Sequence, residues 1–131
     1  MGFLNLFKKG KSLSTEELKW NKMWDLWAKD EIESPYLELM TYYNEINGGG
    51  HFQFFDNASN SFNLEKLVSL LCDNLSYKLN KNLSKAYEVY LKHEKDSSVL
   101  EDLLEEFDNV YYENEDEIDI ILKEYAKTLQ L

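Results

Sequence analysis

The chain has 131 residues, of which 44% are apolar, 15% aromatic and 30% charged, with one proline and five glycines. That length fits one domain with a real core, the aromatic content excludes a disordered chain, and the shortage of breakers favours long helices. Lone Cys72 excludes an internal disulfide and a cysteine zinc site, and the absence of arginine removes the usual bidentate phosphate and guanine reader, so direct nucleic-acid binding is not expected.

Fourteen lysines against 25 acids give a net charge of −11. Between Asp96 and Asp119 lie 11 acids and no lysine, while outside that window 14 acids balance 14 lysines. The whole net charge therefore resides in one segment. No apolar run is long enough to span a bilayer, and the chain starts with neither a signal peptide nor a myristoylation pattern, so a cytoplasmic protein is expected.

Residues 1–12 read as a short amphipathic leader, Phe3, Leu4, Leu6 and Phe7 followed by Lys8, Lys9 and Lys11. Its phenylalanines are expected to tuck onto the domain that fills residues 13–131, although its lysines also suit an anionic membrane surface. Ser14-Thr15-Glu16-Glu17 is a capping box for the first helix, which carries Leu18, Trp20, Met23, Trp24 and Trp27 on one bulky apolar face. Ser34-Pro35 predicts the start of a second helix, with Ser34 as N-cap. The run Gly48-Gly49-Gly50 predicts a left-handed C-cap, followed by one or two helical turns over His51–Asn57 that pin Phe52, Phe54 and Phe55 inward.

Asn63 caps a helix bearing Leu64, Leu67, Val68, Leu71 and Leu75, in which Cys72 fits as a small hydrophobe. Asn80 to Asn82 predict a break before a helix with Leu83, Ala86, Tyr87 and Leu91. Leu100, Leu104, Phe107 and Tyr111 then lie on one helical face, and Asn114 with the acids after it predicts a corner before a last helix through Ile118, Leu122 and Tyr125. The pattern is all-α, a single compact domain of about six helices.

No nucleophile with its base is visible, no glycine loop follows a strand, and no cofactor or metal is implied by ligand spacing. One alternative site is a small-ligand or enzymatic pocket at the Glu45–Asn57 corner, lined by Tyr42, Glu45, His51, Gln53 and Asp56. The other is the acidic face formed by Glu101, Asp102, Glu105, Glu106, Asp108 and Glu113. Carboxylates four residues apart on a helix sit about 6 Å from one another, near the spacing of successive phosphates. Such a face suits a basic DNA-binding protein as partner, approached fast and with strong salt dependence.

The run from Tyr43 to Asn57, with Glu45-Ile46-Asn47, Gly49-Gly50 and Gln53-Phe54-Phe55 at its heart, resembles the signature of a bacterial domain family of unknown function typified by DNA-mimic protein nineteen. Leu103-Leu104 through Tyr111-Tyr112 and the final Ile121 to Tyr125 are similar to that family's closing pattern. Gly48 stands where an asparagine is usual, and His51 where a phenylalanine is usual. The resemblance spans about Ser34 to Leu129 and implies an all-helical domain. From one member it also implies a homodimer whose acidic surface occupies a transcription factor's DNA site.

Overall fold

The protein is described here from a computed structural model, over residues 12–131. Of the leader expected over residues 1–12, all but Ser12 lies outside the described residues. Five helices follow: α1 (Thr15–Ala28), α2 (Tyr36–Ser61), α3 (Leu64–Asp73), α4 (Tyr77–His93) and α5 (Ser97–Lys127). Helix α2 is broken once, at Gly49 and Gly50, so the described chain forms six helical rods. Among the described residues there is no strand, and no helix is long and apolar enough to cross a membrane.

The helix starts follow from their caps. Ser14 Oγ accepts from the Glu17 N–H while Glu17 Oε1 accepts from the Ser14 N–H, both at 3.1 Å, completing the capping box. Asn63 Oδ1 accepts from the Lys66 N–H at 3.0 Å, and Asp96 Oδ1 from the Val99 N–H at 3.4 Å. At α2 the expectation fails. Pro35 takes the cap position without a side-chain hydrogen bond, and the Ser34 hydroxyl instead donates to Glu38 Oε2 at 2.8 Å.

Helix α5 is the spine. Its 31 residues span about 46 Å at 1.5 Å per residue, and it packs on α1, α2 and α4, with α3 closing the side against α2 and α4. Leu100, Leu104, Tyr111, Ile118, Leu122 and Tyr125 bury one stripe at steps of four, seven, seven, four and three. That stripe explains why the corner expected at Asn114 does not form. The buried seam runs straight past it, and the Asn114 side chain donates to the Val110 carbonyl one turn back at 2.8 Å.

The break expected at Asn80–Asn82 is absent for a similar reason. Helix α4 begins earlier, behind the Ser76 cap, and both asparagines tie it to its neighbours. Asn80 Nδ2 donates to the Cys72 carbonyl at 3.0 Å, and buried Asn82 donates to the Phe107 carbonyl at 2.9 Å. Turn propensity is a local preference, and here interhelical hydrogen bonds override it.

The core is built where α2 meets α5. Tyr42, Phe54, Phe55 and Tyr111 are fully buried with Leu39, Met40, Ile46 and Leu104 around them. The rings meet edge-on, Tyr42 against Phe54 at 4.9 Å and against Tyr111 at 5.3 Å. Trp20, Trp24 and Trp27 form a partly buried ladder completed by Tyr43, and Trp27 donates its ring N–H to Thr41 at 3.1 Å. The tryptophan face is core lining.

Candidate functional site

Two regions were expected to carry function, the glycine corner and the acidic helix. They are physically joined. At the corner, Gly49 and Gly50 leave helical geometry, and Gly50 has φ 73° and ψ −170°. This is not the left-handed C-cap expected of the glycine run, because ψ lies far from the left-handed helical region. It is a conformation kept almost wholly for glycine. A Cβ at Gly50 would also lie 2.8 Å from Asp108 Cγ. After the break the helix resumes at His51 and continues for three turns, beyond the one or two expected.

Asp108 of α5 closes the break. Its Oδ1 accepts both the His51 backbone N–H and the His51 ring Nδ1–H, each at 2.7 Å, so a side chain 57 residues away caps the second arm of α2. The other ring nitrogen, Nε2, lies 2.7 Å from the Tyr42 hydroxyl. In the neutral imidazole that donates Nδ1–H to the carboxylate, Nε2 is the acceptor and the Tyr42 hydroxyl the donor. Burial, with Cys72 and Asp108 adding like charge, drives the Tyr42 phenol well above its ordinary pKa and keeps that proton in place. Tyr42 and His51 are both 0% exposed, and the Asp108 side chain is 21% exposed.

The rest of the motif braces the same corner. Glu45 Oε1 accepts from Gln53 at 3.0 Å, and the Glu45 carboxylate accepts from Asn57 at 3.1 Å, tying the first arm of α2 to the second. The Ile46 carbonyl, freed by the break, accepts from the Tyr112 hydroxyl at 2.7 Å. Asn47 donates to Glu115 at 2.5 Å. Of the residues proposed for a pocket, Tyr42 is joined to His51 and Glu45 to Gln53, in two separate hydrogen-bonded sets. Asp56 stands apart, exposed, with its backbone carbonyl accepting from Ser59 and Asn60. Two clefts of about 420 and 270 Å³ lie elsewhere, between α1 and α5 and between α4 and α5, and no corner residue lines either.

The acids of α5 from Glu101 to Asp119 divide into two sets. Asp108, Glu115, Glu117 and Asp119 turn toward the fold: Glu115 holds Asn47, Glu117 accepts the Ser76 N–H at 2.7 Å where α4 begins, and Asp119 pairs with Lys123 at 2.7 Å and accepts from Tyr43 at 3.5 Å. Burial first, then Asp119 and Glu115, push the Tyr43 phenol up to about 12. The outward set is Glu101, Asp102, Glu105, Glu106, Glu113 and Asp116, all exposed. None of these six makes an ion pair among the described residues. Asp102, Glu106, Glu113 and Asp116 follow steps of four, seven and three along one outer row. Asp108, which sequence spacing grouped with the outer acids, serves the corner instead.

Among the described residues no three His, Cys, Asp or Glu side chains gather as metal ligands would. Half-buried Cys72 sits 3.4 Å from the Ser84 hydroxyl, and burial raises its thiol pKa, the opposite of an activated thiolate.

No curated protein and no solved structure matches the chain. The profile of DMP19-like proteins matches residues 29–129, which covers both arms of α2, the corner and all of α5. The chain belongs to the DMP19-like protein family.

Proposed function

We propose that this protein is a cytoplasmic protein-binding module whose outer α5 acids imitate a nucleic-acid backbone and occupy the site of a basic DNA-binding protein. The observation that carries this reading is the continuity of α5. Six exposed acids without ion pairs among the described residues stand between Glu101 and Asp116 on one unbroken helix. Those 15 residue steps cover roughly 22 Å, one carboxylate per ~4–5 Å of helix axis, against one phosphate of a DNA strand per ~3.4 Å of duplex axis. A corner at Asn114 would have scattered these charges in two directions.

Rigidity supports the same reading. The row stands on a helix fixed by its buried stripe and by the Asp108, Glu115 and Glu117 contacts, so little order has to be gained on binding. Membership of the DMP19-like family is consistent with a mimic, and the enzyme reading gains nothing from the closed corner.

The test is capture of partners from a bacterial lysate on the immobilised full chain, comparing wild type with E101Q/D102N/E105Q/E106Q. A DNA-binding protein released by salt, displaced by duplex DNA and lost with the neutralised variant is the expected result. Capture that survives neutralisation, or that DNA fails to displace, removes mimicry. Asp108 is left intact because its loss would disturb the corner instead.

A further inference from the structure

The cleft between α4 and α5 is basic on one wall, in a chain of net charge −11. Lys78, Lys81 and Lys85 project from α4 at steps of three and four, on one face about 10 Å long. Glu106 is the one acid lining the cleft, and it makes no ion pair among the described residues. Lys78 and Lys85 make neither a hydrogen bond nor an ion pair among the described residues, while Lys81 donates to the Tyr77 hydroxyl at 2.8 Å. Two free ammonium groups therefore face a space of about 270 Å³ whose apolar side is Phe107 and Val110.

A second observation is independent of charge. Asn82 lines the same cleft yet is only 7% exposed. Its Nδ2 is spent on the Phe107 carbonyl, and its Oδ1 accepts no hydrogen bond among the described residues. That oxygen is reached from the cleft and is open to an N–H or O–H donor.

We propose that this cleft binds a small phosphate ester bearing a hydroxyl or amino group. The phosphate lies between Lys78, Lys81 and Lys85, the donor reaches Asn82 Oδ1, and the carbon skeleton rests on Phe107 and Val110. Lysine serves phosphate as a compact point charge on a flexible stem, which suits Lys78 and Lys85 on one helix face, with Lys81 between them able to leave Tyr77. The volume is below that of drug-sized sites, which limits the ligand to a metabolite of sugar-phosphate dimensions.

The experiment is an amide chemical-shift titration of the full chain at low salt, with ribose 5-phosphate, inorganic phosphate and ribose as separate probes. Shifts confined to Lys78–Lys85 and Phe107–Val110 are expected. The ester should bind about three- to tenfold more tightly than inorganic phosphate, the value of one added hydrogen bond, and ribose alone should not bind. K78A/K85A, both surface changes that spare the fold, abolishes the shifts, and E106Q strengthens binding by removing the opposing charge. No shift at millimolar ester, shifts that persist in K78A/K85A, or equal binding of ester and inorganic phosphate would each overturn the assignment.

Discussion

Removal of the Asp108 carboxylate tests the link between the acidic helix and the corner. In D108A the His51 backbone N–H and ring N–H lose their shared acceptor at a residue with no exposure. Each buried donor left unmade costs about 1–3 kcal/mol. Asp108 itself is 21% exposed, so water can enter the vacated space and meet part of that need. The sum should therefore fall near the lower half of the range, about 3 kcal/mol. For a domain of this size that corresponds to a Tm lowered by roughly 12 °C. D108N keeps an oxygen acceptor and loses only the charge assistance, so about 1 kcal/mol is expected. Urea unfolding followed by circular dichroism measures both, with E106A as the control. Glu106 is exposed on the same helix and makes no ion pair among the described residues, and such surface changes stay within ~0.5 kcal/mol. If D108A and E106A unfold at the same urea concentration, the inward role of Asp108 is refuted and the residue returns to the outer acidic set.

Other consequences are as direct. G50A should cost at least 1–3 kcal/mol, because φ 73° with ψ −170° is strained for alanine and its Cβ meets the Asp108 carboxylate, whereas G48A only displaces the amide end of Gln53 and should cost less in the same unfolding assay. N114P should destabilise by about 3 kcal/mol by interrupting a continuous α5, seen as lost helical ellipticity; near-neutral behaviour would restore the corner. Tyr42, Tyr43 and Tyr111 have phenol pKa values raised by burial, so their contribution is complete below the ordinary tyrosine value of 10 and is lost as pH rises through the raised one. For Tyr43 that loss runs between pH 10 and about 12, and a phenolate absorbance titration should show it ionising above the ordinary tyrosine value.

Much of the fold was legible in the sequence because it rests on short-range chemistry. The capping box at Ser14, the Asn63 cap and the apolar faces of α1, α3 and α5 each depend on residues within a few turns, so spacing reveals them. The glycine run announced a break for the same reason. Two readings failed where local preference met a partner from elsewhere. Asn114 and Asn82 are turn formers by propensity, but a continuous buried stripe in one case and the Phe107 carbonyl in the other hold them within helices.

The candidate site divides along the same line. That α5 is acidic, and that the Tyr42–Asn57 stretch is special, could be read directly. Which acids face solvent could not, because Asp108, Glu115 and Glu117 alternate with Glu101, Asp102 and Glu113 in a segment where nearly every polar position is a carboxylate. Their direction is decided by donors distant in sequence: His51 for Asp108, Asn47 for Glu115 and the Ser76 amide for Glu117. A period of 3.6 residues gives the angle at which a side chain leaves its helix, and only the packed neighbour determines whether it meets a buried N–H or water.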